Sequence, residues 1–237
     1  MKTLALHTLA GLLLACMIPA QAAVYRIAQG AEAYLANDMG LAVLTEAYRR
    51  LGHTLTQVSY PLERALLMAN AGETDGDMVR AQVGLEQQYP NLRRIPTAIA
   101  HDEFVAYGRS KKITIKGWES LAPYRLSGLR IKKLQQLGPD YDISFVKNFD
   151  AGFEMLRAGR VDFVVMTRGT RCLVSQRGFL DAILQEPGIE SVPFYHYLNV
   201  RHAKLAKELD DTLRTMQKDG SLKRIQSEVL RNWDTCP

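Results

Sequence analysis

One structural phrase occurs twice in this chain and constrains its fold more than any other feature. Ala71-Gly72-Glu73-Thr74-Asp75-Gly76-Asp77-Met78-Val79-Arg80 recurs in plan as Ala158-Gly159-Arg160-Val161-Asp162-Phe163-Val164-Val165-Met166-Thr167-Arg168. Each copy reads as the end of a helix, then Ala-Gly, two residues, an Asp, and an apolar run that stops at a hydroxyl or a charge. The glycine suits the left-handed position that ends a helix. The Asp suits the turn that starts the next strand. A constant offset separates the two glycines and the two aspartates. One helix–Gly–turn–strand match is common in α/β chains. Two in corresponding places predict a bilobed chain, with a site where the two strand ends meet.

The first residues predict export. Lys2 is a positive n-region, Leu4 to Ile18 is mostly apolar, and Ala20-Gln21-Ala22 is a small-x-small cleavage site. The apolar run is shorter than the ~20 residues a spanning helix needs. A signal peptide over 1–22, removed after Ala22, is therefore expected rather than an anchor. The rival is lipidation at Cys16, which Leu14 disfavours because a small residue is wanted there. The net charge is +5, and the bases are scattered in pairs such as Arg93-Arg94, Lys111-Lys112 and Lys132-Lys133. Such pairs are solvated faces and argue against a nucleic-acid surface. Beyond the leader, two cysteines remain, Cys172 and Cys236. In an oxidising compartment the pair favours a disulfide. Closing so long a loop is worth about 4 kcal/mol in the chain-entropy model. Two unpaired thiols are the alternative.

Along the chain, Val24 to Gln29 reads as a strand. Gly30 to Asn37 reads as a loop carrying Glu32 and Tyr34, with Asn37 or Asp38 capping the next helix. Leu41, Leu44, Ala47, Tyr48 and Leu51 recur at helical spacing until Gly52. Thr54 to Ser59 alternates like a strand, Pro61 opens a helix, and Asp75 to Arg80 is the next strand. This order argues for a parallel sheet with crossover helices. Short strands are expected at Leu92 to Ile95 and Glu103 to Tyr107, with a polar crossing at Gly108 to Lys112. The pattern then restarts, with strands at Arg125 to Ile131, Ile143 to Val146 and Val161 to Met166, and a helix capped by Asp150. Ile189 to Pro193 is a short strand and a second crossing, followed by Tyr195 to Val200. An amphipathic helix carries Leu205, Ala206, Leu209, Leu213 and Met216, and Ser221 caps a last one.

The chain after Ala22 resembles the type II periplasmic solute-binding proteins, in the branch that includes amino-acid binders. The resemblance rests on the export signal, Pro61-Leu62-Glu63-Arg64-Ala65-Leu66 leading into the first Gly-Glu-Thr-Asp turn, Ala158-Gly159-Arg160-Val161-Asp162, and the ending from His202-Ala203-Lys204-Leu205-Ala206 to Asp219-Gly220-Ser221-Leu222. It implies an α/β, two-lobed periplasmic-binding-protein-like fold with two hinge crossovers. Lobe 1 would be 23–108 with 194–237, and lobe 2 would be 109–193. It implies a periplasmic monomer that closes on a small ligand for an ABC importer or a membrane sensor, without catalysis, cofactor or metal. The alternatives are a dehydratase-like enzyme on the same scaffold, with Glu32 or Glu103 as general acid, and a ligand-sensing accessory domain. The amino-acid pharmacophore does not carry over. No Thr-x-x-Arg lies between Arg80 and Ile95. The position of the ammonium-binding Asp holds Thr167, and Ile131-Lys132-Lys133-Leu134 replaces the usual Gly-Thr pair.

Arginines stand nearby instead, which points to a polar, anionic ligand. Arg80 falls at the carboxyl end of a central strand, where open α/β sheets bind ligands. Its fork suits a carboxylate; an ion pair with Asp77 or Glu103 is the competing reading. Thr167 and Arg168 occupy the matching edge of the second unit, although Arg160, Arg168 and Arg171 read equally well as surface charge. Tyr60 and Arg64 lie at the start of the second helix, Tyr34 and Glu32 in the first loop, and Tyr107 at the first crossover. His53, His101, His196 and His202 lack the spacing of a metal motif.

Overall fold

Strand and helix alternate where the apolar patterns place them, and the two halves of the chain arrive at the same strand order. The computed structural model describes residues 22–31, 35–81, 85–109 and 113–234. In the first half, β1 (Val24–Gly30), α1 (Leu35–Arg50), β2 (Thr54–Tyr60), α2 (Leu62–Ala71) and β3 (Gly76–Ala81) follow one another. β1 lies between β2 and β3, parallel to both. After α3 (Leu85–Gln88), β4 (Leu92–Arg94) and β5 (Ala100–Gly108), the second half builds β6 (Arg125–Leu129), α4 (Lys132–Gln135), β7 (Asp142–Val146), α5 (Phe149–Arg157), β8 (Phe163–Thr167) and α6 (Arg171–Gln176). Here β6 lies between β7 and β8, again parallel to both.

A single strand, β9 (Ile183–Asn199), joins the halves. It pairs antiparallel with β3 from Gly76↔Leu198 to Ala81↔Phe194, and with β5 from Ala100↔Phe194 to Gly108↔Ile183. The sheet order is β2-β1-β3-β9-β5-β8-β6-β7, with β4 also on β9. Two expected strands are longer than their sequence patterns: Glu103 to Tyr107 falls within β5, and Ile189 to Pro193 falls within the 17-residue β9. Pro193 stands opposite His101 within the β5–β9 ladder. The chain closes with α7 (Ala203–Lys218) and α8 (Ser221–Asp234).

Helix starts differ from the sequence reading in two places. α1 begins at Leu35, so Asn37 and Asp38 lie inside it; Asp38 instead accepts a hydrogen bond from Trp233 Nε1 at 2.9 Å, which fastens α8. α5 is capped by Asn148, whose side chain accepts from the Ala151 N–H, and Asp150 falls in its first turn. The apolar faces of α1, α7 and α8 bury Val43, Leu44, Leu209 and Met216 against Ile27 and Met78. In the second half, Phe104, Leu126 and Phe163 form one core cluster, and Tyr107, Phe153 and Phe179 another. None of the helices among the described residues is long and apolar enough to cross a membrane.

The repeated phrase is a repeated structure. Gly72 and Gly159 sit at φ +82° and +68°, where a side chain is strained. Asp75 exchanges two bonds with Arg26, accepting its N–H at Oδ2 (2.8 Å) and donating its own N–H to the Arg26 carbonyl (2.7 Å). Asp162 does the same with Arg125, at 2.9 and 2.7 Å. Each aspartate thus extends the strand pairing by side chain, and the two phrases start strands that run in opposite directions, so that their carboxyl ends, Ala81 opposite Phe194 and Thr167 opposite Phe104, converge on the middle of the β5–β9 ladder.

Candidate functional site

At the carboxyl end of β3, Asp77 precedes Arg80 by three residues, and in a regular strand the two would face opposite sides. The β3–β9 register runs from Asp77↔Tyr197 to Arg80↔Tyr195, so three steps on β3 oppose two on β9. This bulge turns Arg80 to the side of Asp77, and Arg80 Nη2 donates to Asp77 Oδ2 at 2.7 Å. The carboxylate is 1% exposed and the guanidinium side chain 11%. Burial raises the Asp77 carboxyl to about 6, against the pull of Arg80. Beneath the pair, His196 of β9 places Nδ1 at 2.8 Å from the Asp77 carbonyl and 3.2 Å from that of Met78. Carbonyls only accept, so Nδ1 carries the hydrogen and Nε2 accepts from the Tyr48 hydroxyl at 3.2 Å. Burial pushes His196 down to about 4 and keeps it neutral.

At the end of β8, Thr167 is half-buried and pairs with Phe104, and Arg168 opens a short 3-10 turn, Arg168–Thr170. Arg168 forks onto Glu186 at 2.7 and 2.8 Å, and its Nε donates to Glu103 at 2.7 Å. The two glutamates come from β9 and β5. Their hydrogen bonds, Glu186 first, raise Arg168 above its ordinary value against desolvation. Beside it, Asp102 of β5 accepts the Glu103 N–H at 2.8 Å and the Gly169 N–H at 3.3 Å. Burial raises the Asp102 carboxyl, opposed by these bonds and by Arg168. The halves touch at Gly169: a Cβ there would stand 2.7 Å from the Leu35 Cβ at the start of α1.

The remaining expected residues divide. Tyr60 ends β2, half-buried, and its carbonyl accepts the Ala31 N–H at 2.8 Å, on the edge that Arg80 shares. Arg64 is exposed in the first turn of α2. Tyr107 is 2% exposed and packs edge-on against Phe153, 5.4 Å between ring centroids. Tyr34, Glu32 and Cys236 lie outside the described residues, as does Cys16. Cys172 is buried in α6, its sulfur 2.8 Å from the Trp233 carbonyl oxygen near the end of α8. Glu103, the other expected acidic residue, is the acceptor of the Arg168 Nε–H. Two open hollows, about 470 and 560 Å³, lie away from these strand ends. One lies beside α7 at Thr97 and Arg214, and the other at the opposite edge of β6 and β8, at Arg125 and Asp162.

Asp77, Asp102, Glu186 and His196 were not among the expected site residues. Only Asp77 carried a usable signal, an acid inside a run that reads as a buried strand, which demands a partner.

No protein-family model matches the chain. An uncharacterized protein of Shewanella oneidensis is 23% identical over 201 residues, which cover 81% of this chain and 76% of that protein. Among solved structures, the probable amino-acid ABC transporter extracellular-binding protein ytmK of Bacillus subtilis superposes with a TM-score of 0.71 at 16% identity, over 89% of this chain and 98% of that one. A histidine kinase sensor domain with similarity to periplasmic binding proteins gives 0.67 at 13%, over 89% and 96%. The periplasmic VFT2 domain of Bordetella pertussis BvgS gives 0.66 at 17%, over 86% and 92%. At these identities the likeness is one of fold, and it spans nearly the whole of each chain: this protein has the α/β fold of the two-lobed periplasmic binding proteins and sensor domains.

Proposed function

We propose that this is an exported solute-binding protein that closes two lobes, 23–108 with 194–237 and 109–193, on a small polar ligand. The observation that carries the reading is the bulged end of β3, which holds Arg80 at the sheet edge where open α/β folds take ligands. Thr167, Arg168, Tyr60 and Arg64 complete the two lips, and Glu32 and Tyr34 are the further ligand residues of this reading. Both lip arginines already face carboxylates, Asp77 for one, Glu103 and Glu186 for the other. They therefore offer directed hydrogen bonds more than free positive charge. The ligand that fits has an acceptor group, such as a carboxylate, on an otherwise neutral or zwitterionic frame, which narrows the anionic expectation. The nearness of a transporter component and of a sensor domain in fold supports an ABC importer or a membrane sensor as partner. Cleavage after Ala22 and a Cys172–Cys236 bridge belong to the same reading; the Cys172 sulfur beside Trp233 supports the bridge.

A thermal-shift screen of the purified chain against a metabolite panel tests the proposal. A ligand at a hundred times its Kd stabilises by about 2.7 kcal/mol, and Arg80→Ala is expected to remove that shift. Consumption of the compound would instead indicate an enzyme. Alkylation without reduction should leave Cys172 and Cys236 unlabelled.

A further inference from the structure

We propose that His196 is the positioning residue for Arg80: from β9, the strand shared by both halves, it holds the β3 bulge that sets the arginine. The inference rests on the reading of Arg80 as a ligand residue. A bulge disrupts the local ladder and leaves peptide groups in need of other partners. Inside a protein, an unsatisfied carbonyl is costly. The oxygens in question are those of Asp77 and Met78, and one imidazole N–H reaches both, at 2.8 and 3.2 Å. Tyr48 fixes the tautomer from the far side by donating to Nε2. Tyr48, Asp77, Met78 and His196 are all fully buried, so water cannot substitute for any of them.

The consequence for Arg80 follows from strand parity. Without the bulge, β3 would pair regularly with β9, and a one-residue change of register sends a side chain to the other face. Asp77 and Arg80 would then stand on opposite faces and their 2.7 Å ion pair could not form. Asp77 orients the guanidinium directly. His196 acts one step behind it, through the backbone, and does so from a strand that also pairs with β5.

Nitrogen-15 NMR of the full exported chain tests this without a known ligand, using the Arg80 Nε–H signal (assigned with Arg80→Lys) and the His196 ring nitrogens. Expected are an Nδ1–H tautomer in the wild type and loss of the Arg80 signal from its position in His196→Leu. His196→Asn, whose amide N–H takes the place of Nδ1–H, should restore it, whereas His196→Gln should not. An Nε2–H tautomer, an unmoved Arg80 signal in His196→Leu, or equal behaviour of Asn and Gln would overturn the proposal. If His196→Leu does not fold, the tautomer and the Asn–Gln pair still decide. Should Arg80 follow His196 as expected while Arg80→Ala leaves every melting shift of the metabolite panel in place, the positioning role stands and the ligand role of Arg80 falls.

Discussion

The two lips start from the same phrase and hold their arginines by opposite means. On the first, Arg80 and Asp77 share a bulged strand and are almost withdrawn from water, at 11% and 1% side-chain exposure. On the second, Arg168 stands past the end of a regular strand, and its partners Glu103 and Glu186 are 34% and 56% exposed. A buried pair is held by the penalty of separating it, because either partner alone is a stranded charge. An exposed pair is held by geometry and exchanges partners at little cost. Identical turns therefore yield one fixed arginine and one whose carboxylate partner a ligand could replace.

Mutation can break this contrast. Arg80→Ala should destabilise by about 3–5 kcal/mol in urea unfolding above pH 7, since it strands Asp77. Arg168→Ala should lose no more than about 1 kcal/mol, as exposed pairs do; equal losses would erase the distinction between the lips. Gly169→Ala places a methyl 2.7 Å from Leu35 Cβ and 3.1 Å from Asp102 Oδ2. Overpacking of this kind costs about 1–3 kcal/mol, and forcing the halves apart should raise the radius of gyration in small-angle scattering. An unchanged radius would mean that Leu35 gives way instead.

The acid range sharpens the picture of the first lip. Asp77 is raised from 3.8 to about 6, so across that window the folded chain keeps a proton the unfolded chain has released, and stability falls as pH rises. His196 is lowered from 6.5 to about 4, so there the unfolded chain binds the extra proton, and stability falls as pH drops. The two oppose each other and flatten the wild-type profile. Asp77→Asn should unmask the histidine and steepen the loss of the urea midpoint between pH 6.5 and 4; an unaltered slope would place Asp77 near its ordinary value. The smallest effect is expected from Glu186→Gln, within about 1 kcal/mol and shrinking with salt.

What the sequence disclosed was local. Gly72 and Gly159 mark helix ends by conformational preference, which needs no distant partner, whereas Asp75 and Asp162 mark the strand starts but reach Arg26 and Arg125 far away in the chain. Apolar spacing likewise placed α1, α7 and the parallel strands. The bulge was hidden, because Asp77-Met78-Val79-Arg80 reads as an ordinary strand and only the pairing with Tyr195 and Tyr197 inserts the extra residue. Glu103 and Glu186 meet Arg168 because β5 and β9 run antiparallel beside β8, a juxtaposition that no spacing in the chain encodes. His196 looked inert for want of a metal-like neighbour in sequence, while its partners come from α1 and β3.

The 17-residue strand β9 makes the two halves inseparable as genetic parts. Its Phe194–Leu198 end supplies the neighbour of β3, and its Ile183–Phe194 stretch lines β5. A gene cut at the lobe boundary would leave the first fragment with a bare β3 edge, or the second without its own floor. The likeness of the halves suggests a module used twice, yet recombination could exchange neither without also exchanging part of a strand that belongs to both.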